Sequence, residues 1–100
     1  MIKRLELEAA LEDRCVAKVE ALGGLALKLS IPGVRGFPDR TILLDERVWF
    51  IEIKRMRTGR VSAQQRKWAV DLLRAGFPVF LVDTDTDFDR CLANIRQGVL

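Results

Sequence analysis

Apolar positions recur along the chain with two periods, near 3.6 and near 2, and their alternation divides it into seven elements. From residue 4 to 22, Leu5, Ala9, Val16 and Val19 return at helical spacing with Leu11, Cys15 and Leu22 beside them. That pattern predicts an amphipathic helix, and Gly23-Gly24 supplies its stop. Leu25 to Ile31 is a short apolar run and is read as a strand, while 32–38, with Pro32, Gly33, Gly36 and Pro38, is a loop. Asp39 to Leu44 and Val48 to Ile53 are two further strands around the polar Asp45-Glu46-Arg47, a hairpin signal although Asp-Glu is not a favoured turn pair. Alternation in the second run puts Val48, Phe50, Glu52 and Lys54 on one face and Trp49, Ile51 and Ile53 on the other. Arg55 to Val61 reads as a basic loop. Ser62 with Gln65 three residues later is a capping-box pattern that opens a helix through Ala75, closed by Gly76 and Pro78. Val79 to Asp83 is a strand, and Thr84 to Asp87 offer N-caps for a last helix through about Gln97. The order is αβββαβα, an α/β fold without repeat or linker.

At 100 residues, 49% of them hydrophobic and 31% charged, the composition fits one ordinary globular domain covering 1–100. No run approaches the roughly 20 apolar residues of a membrane span, and Glu6, Glu8, Glu12 and Asp13 break any signal-peptide core, so no membrane role and a cytoplasmic location are expected. Cys15 and Cys91 lie far apart without zinc spacing and are read as buried hydrophobes. The chain has no histidine, so acid–base or metal chemistry must rest on carboxylates and lysines. Its net charge of +3 is unevenly spread: Lys54, Arg55, Arg57, Arg60, Arg66 and Lys67 follow one another without an acidic residue, a run suited to a polyanion or to a solvated surface.

The candidate chemistry sits at Pro38-Asp39 and at Glu52-Ile53-Lys54. If Asp45 and Glu46 form a two-residue loop, Leu44 pairs with Arg47, and stepping outward sets Asp39 opposite Glu52. Directly opposed residues have Cβ atoms about 5 Å apart, so the two carboxylates repel unless a cation lies between them. Lys54 projects from the same face as Glu52. Two hard oxygen ligands beside an ammonium suit Mg²⁺ or Mn²⁺, which would lower the pKa of water and neutralise charge on a phosphate. The plain structural alternative is a solvent-facing Glu and Lys with a turn Asp.

Gly33-Val34-Arg35-Gly36-Phe37-Pro38-Asp39-Arg40, then Phe50-Ile51-Glu52-Ile53-Lys54, then Gln65-Arg66-Lys67-Trp68 and Gly76 resemble the VRR-NUC (virus-type replication-repair nuclease) branch of the PD-(D/E)XK superfamily, in its stand-alone, phage-type form. The resemblance implies a restriction-endonuclease-like αβββαβ core, a mixed sheet flanked by helices. It implies metal ligation by Asp39, Glu52 and the backbone carbonyl of Ile53, with catalysis by Lys54. An acidic residue of the first helix, Glu12 or alternatively Glu8, is expected to reach the metal directly or through water. Gln65 occupies the position of a family glutamine near the metal, although a capping role explains it equally well. Trp68 is expected in the core. Arg35 and Arg40 flank the site and are expected to hold phosphates, unless Arg40 pairs with a carboxylate; Lys28 could face the site from the first strand. With Arg55, Arg57, Arg60, Arg66 and Lys67 these cations make up the expected DNA surface.

The function expected is phosphodiester hydrolysis in DNA leaving a 5′-phosphate, by a homodimeric structure-specific endonuclease that cuts branched DNA such as four-way junctions. A monomeric nicking or flap nuclease, a restriction-like activity, and a non-catalytic nucleic-acid-binding module remain as alternatives.

Overall fold

The computed structural model of the chain describes residues 4–54 and 61–98. Its elements follow the expected order: α1 (Arg4–Ala21), β1 (Leu25–Leu27), β2 (Arg40–Leu44), β3 (Arg47–Ile53), α2 (Ala63–Arg74), β4 (Val79–Val82) and α3 (Asp85–Arg96). The sheet order is β1-β2-β3-β4, antiparallel except for the parallel pair β3–β4, so the sheet is mixed.

Local chemistry accounts for each boundary. Gly23 takes φ +86°, Gly24 N–H donates to the Val19 carbonyl and Gly23 N–H to that of Glu20, the paired bonds of a Schellman stop. The capping box of α2 is present in full: Ser62 accepts from Gln65 N–H, and Gln65 accepts from Ser62 N–H. Thr84 and Asp87 build a second one on α3. The β2–β3 turn is the two-residue loop Asp45-Glu46, both at positive φ (54° and 63°), which gives the hairpin the twist its strands need at some steric cost to two non-glycine residues.

Two expectations need correction. β1 ends at Leu27 rather than Ile31, because its last partner is Thr41 and, further out, β2 gives way to Pro38, which has no N–H to donate. The buried stripe of α1 is Leu11, Cys15 and Val19, spaced by four; Ala9 and Leu22 are exposed and Val16 is half-buried. The stripe is therefore rotated from the one expected from Ala9, Val16 and Val19. It packs with Ile42, Leu44, Trp49, Ile51, Ile53 and Val82 of the sheet and with Phe88 and Ile95 of α3. Cys15 is buried and Cys91 half-buried, both are free, and burial pushes the Cys15 thiol up to about 12.

The two helices α1 and α3 thus cover one face of the sheet. On the other face, Phe37 bridges Phe50 and Trp68 edge-on, with ring centroids 5.6 and 5.3 Å apart, so the loop before β2 and the helix α2 are clamped onto β3. Trp68 is half-buried in this packing.

Candidate active site

Strand register decides which side chains can meet. Arg40 pairs with Ile51 and Leu44 with Arg47, so the next outward pair is Asp39 with Glu52, as the two-residue turn requires. The Asp39 carboxylate accepts a hydrogen bond from Ile53 N–H at 2.7 Å, which fixes it across the end of β3. In an extended strand the N–H and C=O of one residue point to the same edge, so the Ile53 carbonyl is directed toward Asp39 as well. Phe50 and Lys54 donate their N–H groups the other way, to Pro78 and Val82.

Glu52 is buried, at 6% exposure, and shares a side-chain hydrogen bond with Asp39. Burial, then the Asp39 hydrogen bond and charge, push its carboxyl up to about 9, against smaller opposing effects of Lys54 and Gln65.

Gln65 serves two roles at once. Its Oε1 accepts from Ser62 N–H at 2.8 Å in the capping box, while its side chain is near enough to Glu52 to oppose the rise of that carboxyl's pKa. Position 36 explains how α2 comes so close. Gly36 has φ +79°, and a Cβ there would lie 2.6 Å from Gln64 Cβ and 2.7 Å from Gln65 N. Only glycine lets the Phe37-Pro38-Asp39 segment touch the first turn of α2.

Other expected site residues are placed differently. Arg40 faces the α1 side of the sheet, where its Nε donates to Glu12 at 2.5 Å and its Nη1 to the Ala26 carbonyl at 3.1 Å. Of the two partners offered for Arg40, phosphate or a neighbouring carboxylate, the structure selects the carboxylate. Glu12 is engaged in that ion pair; Glu8, one turn earlier, is half-buried. Arg35, Arg66 and Lys67 are exposed near the site, with Lys67 paired to Asp71 and 5.5 Å from the Trp68 ring centre. Lys28 is exposed just past β1. Arg55, Arg57 and Arg60 lie outside the described residues. One residue went unnoticed in the sequence: Asp83, which follows β4 where the register sets it beside Lys54, and whose Oδ1 is buried without a hydrogen-bond partner. Its signal was only its place at a strand end.

Comparison with known proteins adds a second line. No protein-family model matches the chain. It is 34% identical over 82 residues to a protein of Acyrthosiphon pisum secondary endosymbiont phage 1 named “Putative nuclease p44”, an overlap of 81% of this chain and 87% of that one. A solved VRR-NUC domain superposes with a TM-score of 0.78 at 29% identity, covering 86% of this chain and 94% of the other. The chain belongs to the VRR-NUC family.

It is thus a nuclease of the VRR-NUC type with a restriction-endonuclease-like fold, and nucleases of this superfamily generally use divalent metals. Among the described residues no group of three or more His, Cys, Asp or Glu side chains is arranged to hold a metal. Mg²⁺, however, needs only one or two carboxylates and completes its shell with water and phosphate oxygens. Asp39 and the buried Glu52, set opposite each other by the strand register, fit that requirement in this VRR-NUC domain. No helix among the described residues is long and apolar enough to cross a membrane.

Proposed function

We propose that this VRR-NUC nuclease is a Mg²⁺- or Mn²⁺-dependent, structure-specific endonuclease that hydrolyses DNA phosphodiesters and acts as a homodimer on branched DNA such as four-way junctions. The observation that carries the reading is the strand register that sets Asp39 opposite the buried Glu52, with Lys54 two residues further along the same face of the chain. Asp39, Glu52 and the Ile53 carbonyl would hold the cation, with Glu12 or Glu8 contributing directly or through water. When bound, the cation supplies charge neutralisation at the scissile phosphate and lowers the pKa of nearby water.

The protein's own groups do the rest. Lys54 places a compact positive charge where the phosphate develops negative charge, and it can orient the attacking water. Gln65, anchored by the helix cap, would lie beside Glu52 as a polar neighbour of the cation, and the Asp39 orientation is set by Ile53 N–H. Arg35, Arg66 and Lys67, with Arg55, Arg57 and Arg60, provide phosphate contacts that position the backbone without reading bases. Cleavage leaves a 5′-phosphate, and the enzyme works in the cytoplasm that holds its DNA.

The test is a cleavage panel on labelled linear, flap, splayed and four-way DNAs with Mg²⁺, Mn²⁺ or EDTA. Cutting is expected only with metal and preferentially on branches, with Asp39→Asn inactive and Lys54→Ala slowed by about 10²–10³-fold. Absence of metal-dependent cleavage, with Lys54→Ala changing nothing, would leave only a nucleic-acid-binding module; a Lys54→Ala variant that cleaves as fast as the wild type would remove Lys54 from the mechanism.

A further inference from the structure

The register that builds the site also sets a further carboxylate on its face. In β4, Phe80 lies edge-on to Trp49, with ring centroids 5.7 Å apart, and Val82 is fully buried in the core. Val79 and Leu81 therefore face the other side of the sheet, the one that carries Glu52. Glu52 stands beside Leu81. Lys54 N–H donates to the Val82 carbonyl at 2.9 Å, which carries the parallel ladder one residue further and sets Lys54 beside Asp83. Both residues are half-buried. Neighbouring strands lie about 4.8 Å apart, less than the length of a lysine side chain, so the Lys54 ammonium can reach the Asp83 carboxylate.

The fold does not use that carboxylate. It opens the run Asp83-Thr84-Asp85-Thr86-Asp87 at the start of α3, where every other acid has a task. Thr84 caps the helix, and Asp87 accepts from Asp83 N–H at 3.1 Å and from Thr84 N–H at 3.2 Å. Asp85 pairs with Arg14 and Lys18. Asp83 Oδ1, by contrast, is buried without a hydrogen-bond partner among the described residues. Two other buried atoms share that condition, Thr41 Oγ1 and Trp49 Nε1, but both are neutral, and an unmatched carboxylate oxygen is the costliest of the three. The backbone of Asp83 is held by the α3 cap and that of Lys54 by Val82, so the two groups can meet by side-chain rotation alone.

We infer that Asp83 is a positioning residue for Lys54: its carboxylate takes one of the three ammonium N–H donors and leaves the other two for the scissile phosphate and the attacking water. A lysine ammonium is a point charge on a flexible four-carbon stem, whereas stabilising charge in a transition state requires a donor already in place. In the metal-free protein the Lys54 charge acts on Glu52. With Glu52 on the cation, Asp83 is the carboxylate beside Lys54 that remains to hold it. The inference rests on the nuclease reading above, in which Lys54 acts on the phosphate, and names the group that orients it.

A double-mutant cycle on the full chain tests it, with Lys54→Ala, Asp83→Asn, Asp83→Ala and the two double variants. The quantities read are kcat and KM on the DNA cut fastest in the cleavage panel, DNA affinity with Ca²⁺, and melting temperature in EDTA. Either Asp83 variant is expected to lower kcat by on the order of 10–100-fold, with KM and Ca²⁺-supported DNA affinity unchanged. In the Lys54→Ala background the same substitutions should change kcat by less than about twofold, because the group they position is gone. Melting temperature should hold or rise, since an unmatched buried charge is removed. Asp83 variants as fast as the wild type, beside a slowed Lys54→Ala, overturn the inference and leave the nuclease reading intact. An equal loss in both backgrounds also overturns it, by giving Asp83 an action of its own. So does a fall in the melting temperature of both Asp83 variants, which gives the carboxylate a structural partner. A Lys54→Ala variant with wild-type kcat removes the lysine from the mechanism and this inference with it. Absence of metal-dependent cleavage by the wild type sinks the nuclease reading itself.

Discussion

Glu52 is a buried carboxylate, at 6% exposure, and its environment makes a measurable prediction. In the folded, metal-free protein its carboxyl holds a proton up to about 9, whereas in the unfolded chain it loses that proton near 4.5. Between those values the folded state binds more protons than the unfolded state, so stability falls as pH rises across the interval. Thermal melts in EDTA should therefore show a melting temperature that declines from about pH 5 to pH 9. Added Mg²⁺ or Mn²⁺ should flatten the decline, because the cation takes over the proton's place, and Glu52→Gln should flatten it without metal. A melting temperature independent of pH in the wild type would show that the pair does not share a proton. Arg40 and Glu12 form a part-buried charge pair that ties α1 to β2 and, through the Ala26 carbonyl, to β1.

At the scale of elements, the site is made by three segments meeting at one end of the sheet: the loop into β2, the end of β3 and the first turn of α2. Their meeting depends on Gly36. Gly36→Ala places a methyl group into Gln64 and the Gln65 backbone while also demanding a positive φ of an L-residue. It is expected to destabilise the protein by about 1–3 kcal/mol and to lower cleavage further than that loss explains, since both Asp39 and Gln65 move with their segments. Melting curves and turnover at a temperature well below the transition separate the two effects. A variant with wild-type turnover would show that α2 need not touch the loop. The elements themselves were largely legible in the sequence, because helix caps and turns are local: Ser62-Gln65 and Gly23-Gly24 perform the bonds their spacing announces. The α1 stripe was misjudged, since small residues such as Ala9 satisfy a helical period without being buried.

For the whole molecule, the modest net charge of +3 conceals a division of surfaces. Exposed Arg35, Arg66 and Lys67 lie on the two segments that Gly36 brings together, the loop before β2 and the first turns of α2, while the hairpin turn carries both signs in exposed Asp45, Glu46 and Arg47. DNA affinity should accordingly be dominated by phosphate contacts. Binding measured with Ca²⁺ in place of the active metal is expected to fall linearly in log–log form with added salt, with a slope near −0.9 for each phosphate neutralised on duplex DNA. Arg66→Ala should reduce that slope by about one without changing preference among base sequences. A slope insensitive to Arg66 would remove it from the interface.

The amino-acid order by itself determined what nearest neighbours decide: the seven elements, the two-residue turn at Asp45-Glu46, and hence the register that brings Asp39 opposite Glu52. A hairpin's pairing follows from its turn length, so the placing of two carboxylates thirteen residues apart was within reach of local rules. Tertiary structure alone decided that Arg40 and Glu12 would pair with each other, and that Gly36 would bring the loop before β2 against the first turn of α2. Those outcomes depend on how helices lie across the sheet, and that depends on the packing of side chains far apart in the chain.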